Sequence, residues 1–172
     1  MANIDNGTGF LPYNNPNNGG GQPVVEEFDL AAANTKIGVG TPVKSVGGVV
    51  DIAAAGDALI GIAAEYKAAN AGGKIKVWSD PSQRFVAQTD NGTGVLTAVA
   101  GIQLNANFIG TGVTNKRSTA EIDESSGATG ATLPFKVLKL SPEVSNAYGE
   151  FNRLIVKINN HQLGSHTGTA GT

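Results

Sequence analysis

Short runs in which apolar and polar residues alternate recur through most of the chain, and they predict an all-β fold. The clearest run covers residues 74–79, where Ile75 and Val77 alternate with lysines and are predicted to face a core. Residues 84–88 form the next run, after an Asp80-Pro81 pair that favours a turn. We therefore predict that the two runs pair as a β-hairpin.

Other runs carry their own predictions. Residues 59–66 are apolar almost without interruption, which is typical of a strand buried on both faces. In residues 133–140 the apolar register shifts after Val137, and a β-bulge would explain the shift. With residues 24–30 and 151–158, the pattern indicates about eight to ten short strands, arranged as a small β-barrel or β-sandwich.

The two ends of the chain differ from its middle. Asn, Gly and Pro fill 14 of the first 23 positions, and such a segment buries too little apolar surface to offset its ordering entropy. We therefore predict a flexible, extended N-terminal arm over residues 1–23 and a β domain over residues 24–162. Residues 163–172 are polar and are predicted to form a flexible C-terminal tail.

Four side chains are candidates for binding a partner. Phe10, Leu11 and Tyr13 lie in the predicted arm, where a pure linker would need no aromatic residues. Deletion of the arm is accordingly expected to weaken partner binding and to leave the fold intact. Trp78 alternates with two lysines, so it either faces outward as an interface anchor or is covered by a second sheet or by the arm.

Composition narrows the possible functions. Charged residues make up 15% of the 172-residue chain, against about 25% in an ordinary soluble domain, which is typical of a protein that neighbours cover. The net charge is −2, so no basic surface for nucleic acid is indicated. No apolar stretch is long enough for a membrane span, and no leader segment is recognisable. We expect synthesis in a cytoplasm and no membrane partner.

The inventory of reactive side chains is small. Cysteine is absent, and the two histidines, His161 and His166, both lie near the end of the chain. Neither a phosphate-binding Gly-rich loop nor a nucleophile elbow is present. We therefore predict no catalytic, metal-binding or cofactor-binding residues, no cofactor, and no enzymatic activity.

Two local features are assigned ordinary structural roles. Glu121, Asp123 and Glu124 precede Gly127 in a way that hints at calcium, but the EF-hand spacing is absent, so an exposed acidic loop is the favoured interpretation. The pentapeptide Asp-Asn-Gly-Thr-Gly occurs twice, at residues 5–9 and 90–94. It is interpreted as a chance recurrence of a turn-forming sequence.

Three stretches together resemble the head decoration, or cement, proteins of tailed bacteriophages. They are Gly61-Ile62-Ala63-Ala64-Glu65-Tyr66, the Asp80-Pro81 turn and the closing Asn159-Asn160-His161-Gln162. The resemblance spans residues 57–162, is patchy between 91 and 130, and does not extend to the connection at 141–150. It implies a β-rich domain, often trimeric, that clamps neighbouring capsid subunits from the outside of the head.

The function expected from this resemblance is that of a virion structural protein on the capsid exterior, made in the host cytoplasm. Its expected partners are the major capsid protein and further copies of the chain itself, as a homotrimer. The alternative is a carbohydrate-binding or adhesion module on a virion, because small β-sandwiches host many of these. The small number of aromatic residues, three Tyr, one Trp and six Phe, counts against that alternative.

Overall fold

The computed structural model describes residues 3–164 and 168–172, and in that part the protein is built from short β-strands and single-turn 3₁₀ helices. The all-β fold predicted from the sequence is confirmed as sandwich-like, but the described residues form fourteen strands and not eight to ten, because several are only two residues long. His166 lies outside the described residues. The strands are β1 (Leu11–Pro12), β2 (Val25–Asp29), β3 (Pro42–Val46), β4 (Val49–Ile52), β5 (Gly61–Ala63), β6 (Lys74–Trp78), β7 (Arg84–Gln88), β8 (Asn105–Ala106), β9 (Phe108–Ile109), β10 (Val113–Thr114), β11 (Arg117–Ser118), β12 (Glu121–Ile122), β13 (Phe135–Leu140) and β14 (Arg153–Ile158).

Most of these strands belong to two five-stranded sheets. The first sheet has the order β1-β7-β14-β13-β8, and the second has the order β2-β6-β5-β3-β4. Neighbouring strands are antiparallel in both sheets. A single parallel bridge joins Leu30 to Val50, so the two edge strands of the second sheet approach each other at one end. Strands β9–β12 form two small ribbons beside these sheets.

Two hydrophobic cores hold the sheets together. The larger core joins side chains of the first sheet, including Phe85 and Phe135, to Ile62 of the second sheet. The smaller core gathers Ile75 and Val77 with other side chains of the second sheet. Strand β5 separates the two cores, because Ile62 packs in the larger one and Ala63 in the smaller one. The prediction that the run at 59–66 is buried on both faces is therefore confirmed for residues 59–63, whereas residues 64–66 are half-buried.

The hairpin predicted for residues 74–88 is wrong. Strand β6 pairs with β2 and β5, whereas β7 pairs with β1 and β14. The two strands are consecutive in the chain but lie in different sheets. Alternation specified correctly which side chains are buried, but it does not specify a strand's neighbours. Here the buried side chains of β6 and β7 fill different cores, which a hairpin with one inner face could not do.

The turn between these strands forms as predicted. The Gln83 backbone N–H donates to the Asp80 carbonyl oxygen at 3.0 Å, and the Ser82 N–H donates to Asp80 Oδ1 at 2.7 Å. The turn therefore carries the chain from the second sheet to the first. The predicted bulge is also confirmed, because the register of β13 against β14 shifts between Val137 and Lys139.

The N-terminal segment is part of the folded domain. Phe10 is fully buried, and its ring stacks on Phe135 with centroids 4.3 Å apart. Strand β1 then adds to the edge of β7, and the Tyr13 N–H donates to the Arg84 carbonyl oxygen at 2.8 Å. The predicted boundary at residues 23 and 24, and with it the flexible arm, is therefore wrong. Composition gave the wrong prediction because one buried aromatic ring and one available strand edge are enough to hold a glycine- and asparagine-rich segment against the domain.

The end of the chain is also held against the domain. The Thr169 N–H donates to Asn159 Oδ1 at 2.9 Å, and the Gly171 N–H donates to the Thr129 carbonyl oxygen at 3.1 Å. The Thr172 N–H reaches the Gln103 carbonyl oxygen at 3.2 Å. The prediction of a flexible tail is therefore wrong for residues 168–172, because an asparagine side chain and backbone carbonyls of the domain supply partners that a polar segment can use.

Candidate functional site

The four predicted partner-binding side chains do not form one surface. Phe10 is a core residue, so the prediction that it binds a partner is wrong. Leu11 is half-buried in β1, and Tyr13 keeps 40% of its surface exposed. Trp78 is half-buried: its ring lies 6.5 Å from that of Phe85, so the first sheet covers part of it, and the rest remains accessible to a partner.

A different surface has the character of a binding site. It lies on the long connection between β13 and β14, where Val144 is 97% exposed and faces solvent beside Ile4, which is 81% exposed. We call the groove here the Val144 surface. It is lined by Asn3, Ile4, Asn6, Glu143, Val144, Ser145, Asn146, Phe151 and Arg153.

Hydrogen bonds within the connection fix the shape of the Val144 surface. The Asn146 side-chain amide donates to the carbonyl oxygens of Ser141 and Arg153 at 2.8 and 2.9 Å, and it accepts from the Arg153 N–H at 2.9 Å. Arg153 Nη1 lies 2.8 Å from Glu143 Oε2, which forms an ion pair across the loop. One asparagine side chain and one ion pair therefore hold the base of the loop closed.

The N-terminal residues are attached to the same loop. Asn3 Nδ2 donates to the carbonyl oxygens of Ala147 and Glu150, each at 2.9 Å, and Asn3 Oδ1 accepts from the Ala147 N–H at 3.2 Å. These bonds place Ile4 next to the loop that carries Val144. The two exposed apolar side chains therefore belong to one structure although they are far apart in the sequence.

The loop also contains backbone strain. Ser145 has φ 68° and Phe151 has φ 54°, both in the left-handed region. For a non-glycine residue this region costs about 1–2 kcal/mol, and such residues persist only where the surrounding structure imposes the conformation. Strained backbone concentrates at functional sites, and here it shapes the loop that exposes Val144.

A second feature is a cluster of carboxylates at one end of the larger core, which we call the acidic cluster: Asp90, Asp123 and Glu124. Each residue has a carboxylate oxygen within 4.8 Å of those of the other two. The chain brings them together because Thr89 bridges Ile122 in parallel fashion and the Asp90 N–H donates to the Ile122 carbonyl oxygen at 3.1 Å.

The three carboxylates of the acidic cluster repel one another when all of them are charged. Burial raises the pKa of Glu124, the charges of Asp90 and Asp123 raise it further, and the nearby Gly94 backbone N–H opposes them. Burial also raises the pKa of the neighbouring Glu121 to about 7, with Asp5 and Asp90 acting in the same direction. None of the ion pairs among residues 3–164 and 168–172 involves these carboxylates.

Glutamate side chains from this acidic segment pack against both copies of the repeated pentapeptide. A Cβ atom at Gly7 would lie 2.8 Å from Glu121 Oε1, and side chains at Gly92 or Gly94 would collide with the Glu124 carboxylate. A side chain at Gly7 or Gly92 would have to displace a glutamate carboxylate, whereas one at Gly94 would also meet the Glu124 backbone carbonyl, so glycine is needed most at residue 94. The interpretation of residues 121–124 as an exposed loop is wrong for Glu124, which is only 8% exposed.

Comparison with known proteins gives no relative from which a function could be carried over. The sequence matches no protein-family model, and it shows significant similarity neither to a curated protein nor to a solved structure. In the described ranges no helix has the length and apolar character needed to cross a bilayer. The Val144 surface and the acidic cluster are the two features on which functional proposals can rest.

Proposed function

We propose that this protein is a capsid decoration protein, a virion structural component that binds the outer surface of a phage head and stabilises contacts between major capsid protein subunits. The observation that carries the proposal is Val144, an almost fully exposed apolar side chain on a loop whose shape is fixed by hydrogen bonds and by strained backbone. The sequence resemblance to decoration proteins points in the same direction.

A rigid apolar projection suits attachment to another protein. Burial of a valine side chain contributes about 1.5–3 kcal/mol, and a loop already held in one conformation loses little entropy on binding. Ile4 is held beside it and adds apolar area to the same contact. The Val144 surface therefore takes the role that the sequence had suggested for an N-terminal arm.

The carbohydrate-binding alternative finds less support. Sugar sites of β-sandwiches usually stack sugar rings on exposed aromatic side chains. Four of the six phenylalanines, Phe10, Phe85, Phe108 and Phe135, are fully buried. Phe28, Phe151 and Trp78 are half-buried, and of these only Phe151 lines the Val144 surface. Tyr13 and Tyr148 each keep 40% exposed, but Tyr13 borders a groove separate from the Val144 surface.

The proposal is tested with heads of the phage that encodes the protein, prepared without it, and with purified protein added back. Val144→Asp combined with Ile4→Asp places two charges in the contact and should weaken co-sedimentation with the heads at least about tenfold. Val46→Asp is the matched control, since Val46 is 59% exposed at the end of β3, and it should bind as the wild type does. Failure of wild-type protein to bind contradicts the proposed function, whereas equal binding of all variants contradicts only the choice of surface.

We also propose that the protein associates as a homotrimer. Strand β2 is an edge of the second sheet that meets β4 only at its end, and its first residue, Val25, is 45% exposed, with Val24 before it 40% exposed. Closed cyclic assembly covers such edges and apolar side chains. Light scattering should give three times the 17.5 kDa chain mass. A particle of single-chain mass that persists at high micromolar concentration would contradict self-association in solution.

A further inference from the structure

We propose that Asp90, Asp123 and Glu124 form a calcium-binding site that joins the loop after β7 to the segment following β12. The proposal does not depend on the function proposed above. It rests on the placement of three carboxylates and on one buried carboxylate oxygen that lacks a well-formed hydrogen bond.

The spacing of the carboxylates fits a single ion. Calcium–oxygen distances are about 2.3–2.6 Å, so two oxygens that share one calcium ion lie at most about 5 Å apart. The three carboxylate oxygens of the acidic cluster lie within 4.8 Å of one another. One ion can therefore contact all three without a rearrangement of the backbone.

Glu124 supplies an independent indication of a missing ligand. Its side chain is 8% exposed, its Oε2 atom is buried without a well-formed hydrogen bond, and its carboxylate offers one oxygen to the cluster. A buried carboxylate is costly unless it is paired or coordinates a metal. A cation between these three residues would remove that cost.

The two aspartates are oriented as metal ligands usually are. Asp90 Oδ1 accepts from the Glu124 N–H at 3.0 Å, and Asp123 Oδ1 accepts from the Ser125 N–H at 3.0 Å and from Ser125 Oγ at 2.6 Å. One oxygen of each carboxylate is fixed by the protein, so the side chain cannot rotate away. Such hydrogen bonds behind the ligands hold them in position for the ion.

The donor set selects the kind of ion. All three ligands are carboxylate oxygens, which favour hard cations such as calcium or magnesium over zinc or copper. Calcium accepts six to eight oxygens in irregular arrangements, with waters completing the shell, whereas magnesium requires a near-ideal octahedron. Three carboxylates drawn from two loops, two of them half-exposed so that water can complete the shell, suit calcium better.

The bound ion would act as a cross-link in the fold. Asp90 follows β7 of the first sheet, while Asp123 caps the single-turn helix Glu124–Ser126 after β12. Leu96, from the loop after β7, is buried in the larger core. Calcium would therefore tie a covering loop to the core, and the protein should resist unfolding better with the ion than without it.

The full-length protein is melted in EDTA, in about 2 mM CaCl₂ and in MgCl₂ at the same concentration, and calcium binding is measured by titration calorimetry. At a calcium concentration about 100-fold above the dissociation constant, the melting temperature of a domain of this size should rise by about 5 °C or more. Calorimetry should show about one calcium ion per chain. No change in melting temperature, or a larger change with MgCl₂ than with CaCl₂, would overturn the proposal.

Two variants separate a metal site from a merely acidic region. Glu124→Gln keeps the shape of the side chain, so in EDTA it should melt at or above the wild-type temperature, and it should lose the response to calcium. Glu121→Gln is the matched control, since it removes a neighbouring part-buried carboxylate outside the acidic cluster, and it should keep the full response. A Glu124→Gln protein that retains the wild-type shift overturns the site. If that variant does not fold, Asp90→Asn replaces it.

Discussion

Replacement of Phe10 by alanine is expected to lower the free energy of unfolding by about 3–5 kcal/mol, the usual cost of truncating a buried phenylalanine. The ring is fully buried, stacks on Phe135 and meets Phe108 edge-on with centroids 6.5 Å apart. Its loss would leave a cavity in the middle of the larger core. Urea unfolding of wild type and variant, with linear extrapolation to water, measures the difference.

Tyr13→Ala is the matched control for this experiment. Tyr13 lies three residues further along and is 40% exposed, so its truncation should change stability by well under 1 kcal/mol. A Phe10→Ala protein as stable as the wild type would show that the N-terminal segment is detached from the core in solution. The same reasoning reverses the expectation for deletion of residues 2–23, which should now destabilise the domain severely.

Val77→Asp is expected to abolish folding at room temperature. Val77 is fully buried in the smaller core, and a carboxylate there would have neither a charge partner nor water. The neighbouring Lys76 is exposed on the opposite face of β6, so Lys76→Ala should be nearly neutral. Circular dichroism and thermal melts distinguish the two variants. A cooperative transition of Val77→Asp at the wild-type temperature would place Val77 outside the core.

Local pattern predicted burial well and strand pairing poorly. The alternation in β6 identified Ile75 and Val77 as buried, and the shifted register of β13 identified its bulge. Both are properties of a single strand and its own side chains. The pairing of β6 with β2 and β5 depends instead on which surfaces meet across the molecule, and no short-range signal records that. The predicted hairpin failed for this reason.

The N-terminal segment shows the limit of reasoning from composition. Its glycine, asparagine and proline content favours disorder on average, but the fully buried Phe10 ring and the pairing of β1 with β7 anchor it. The sequence indicates that Phe10 is buried against another surface, but that surface is the larger core of this chain and not a binding partner. An exposed aromatic in a tail and a core aromatic at the end of a tail look the same in a sequence.

The two candidate sites differ in how far the sequence could reveal them. Glu121, Asp123 and Glu124 are adjacent in the sequence and were noted as acidic, but Asp90 joins them only through the bridge between Thr89 and Ile122. The Val144 surface carries no periodic or compositional signal, because it is defined by loop geometry and by the attachment of Asn3. Both sites therefore needed the three-dimensional structure.

The central claim, the proposal that this protein decorates a phage capsid, is tested most directly by electron cryomicroscopy of native particles assembled from the genome that carries its gene. The proposal predicts density for a 17.5 kDa β-sandwich at repeated positions on the outer surface of the head. The Val144 surface of each copy should face the major capsid protein. Mass spectrometry of the same particles should find the chain in a fixed ratio to that protein. Heads whose outer surface lacks such density, in particles made while the protein is expressed, would contradict the claim.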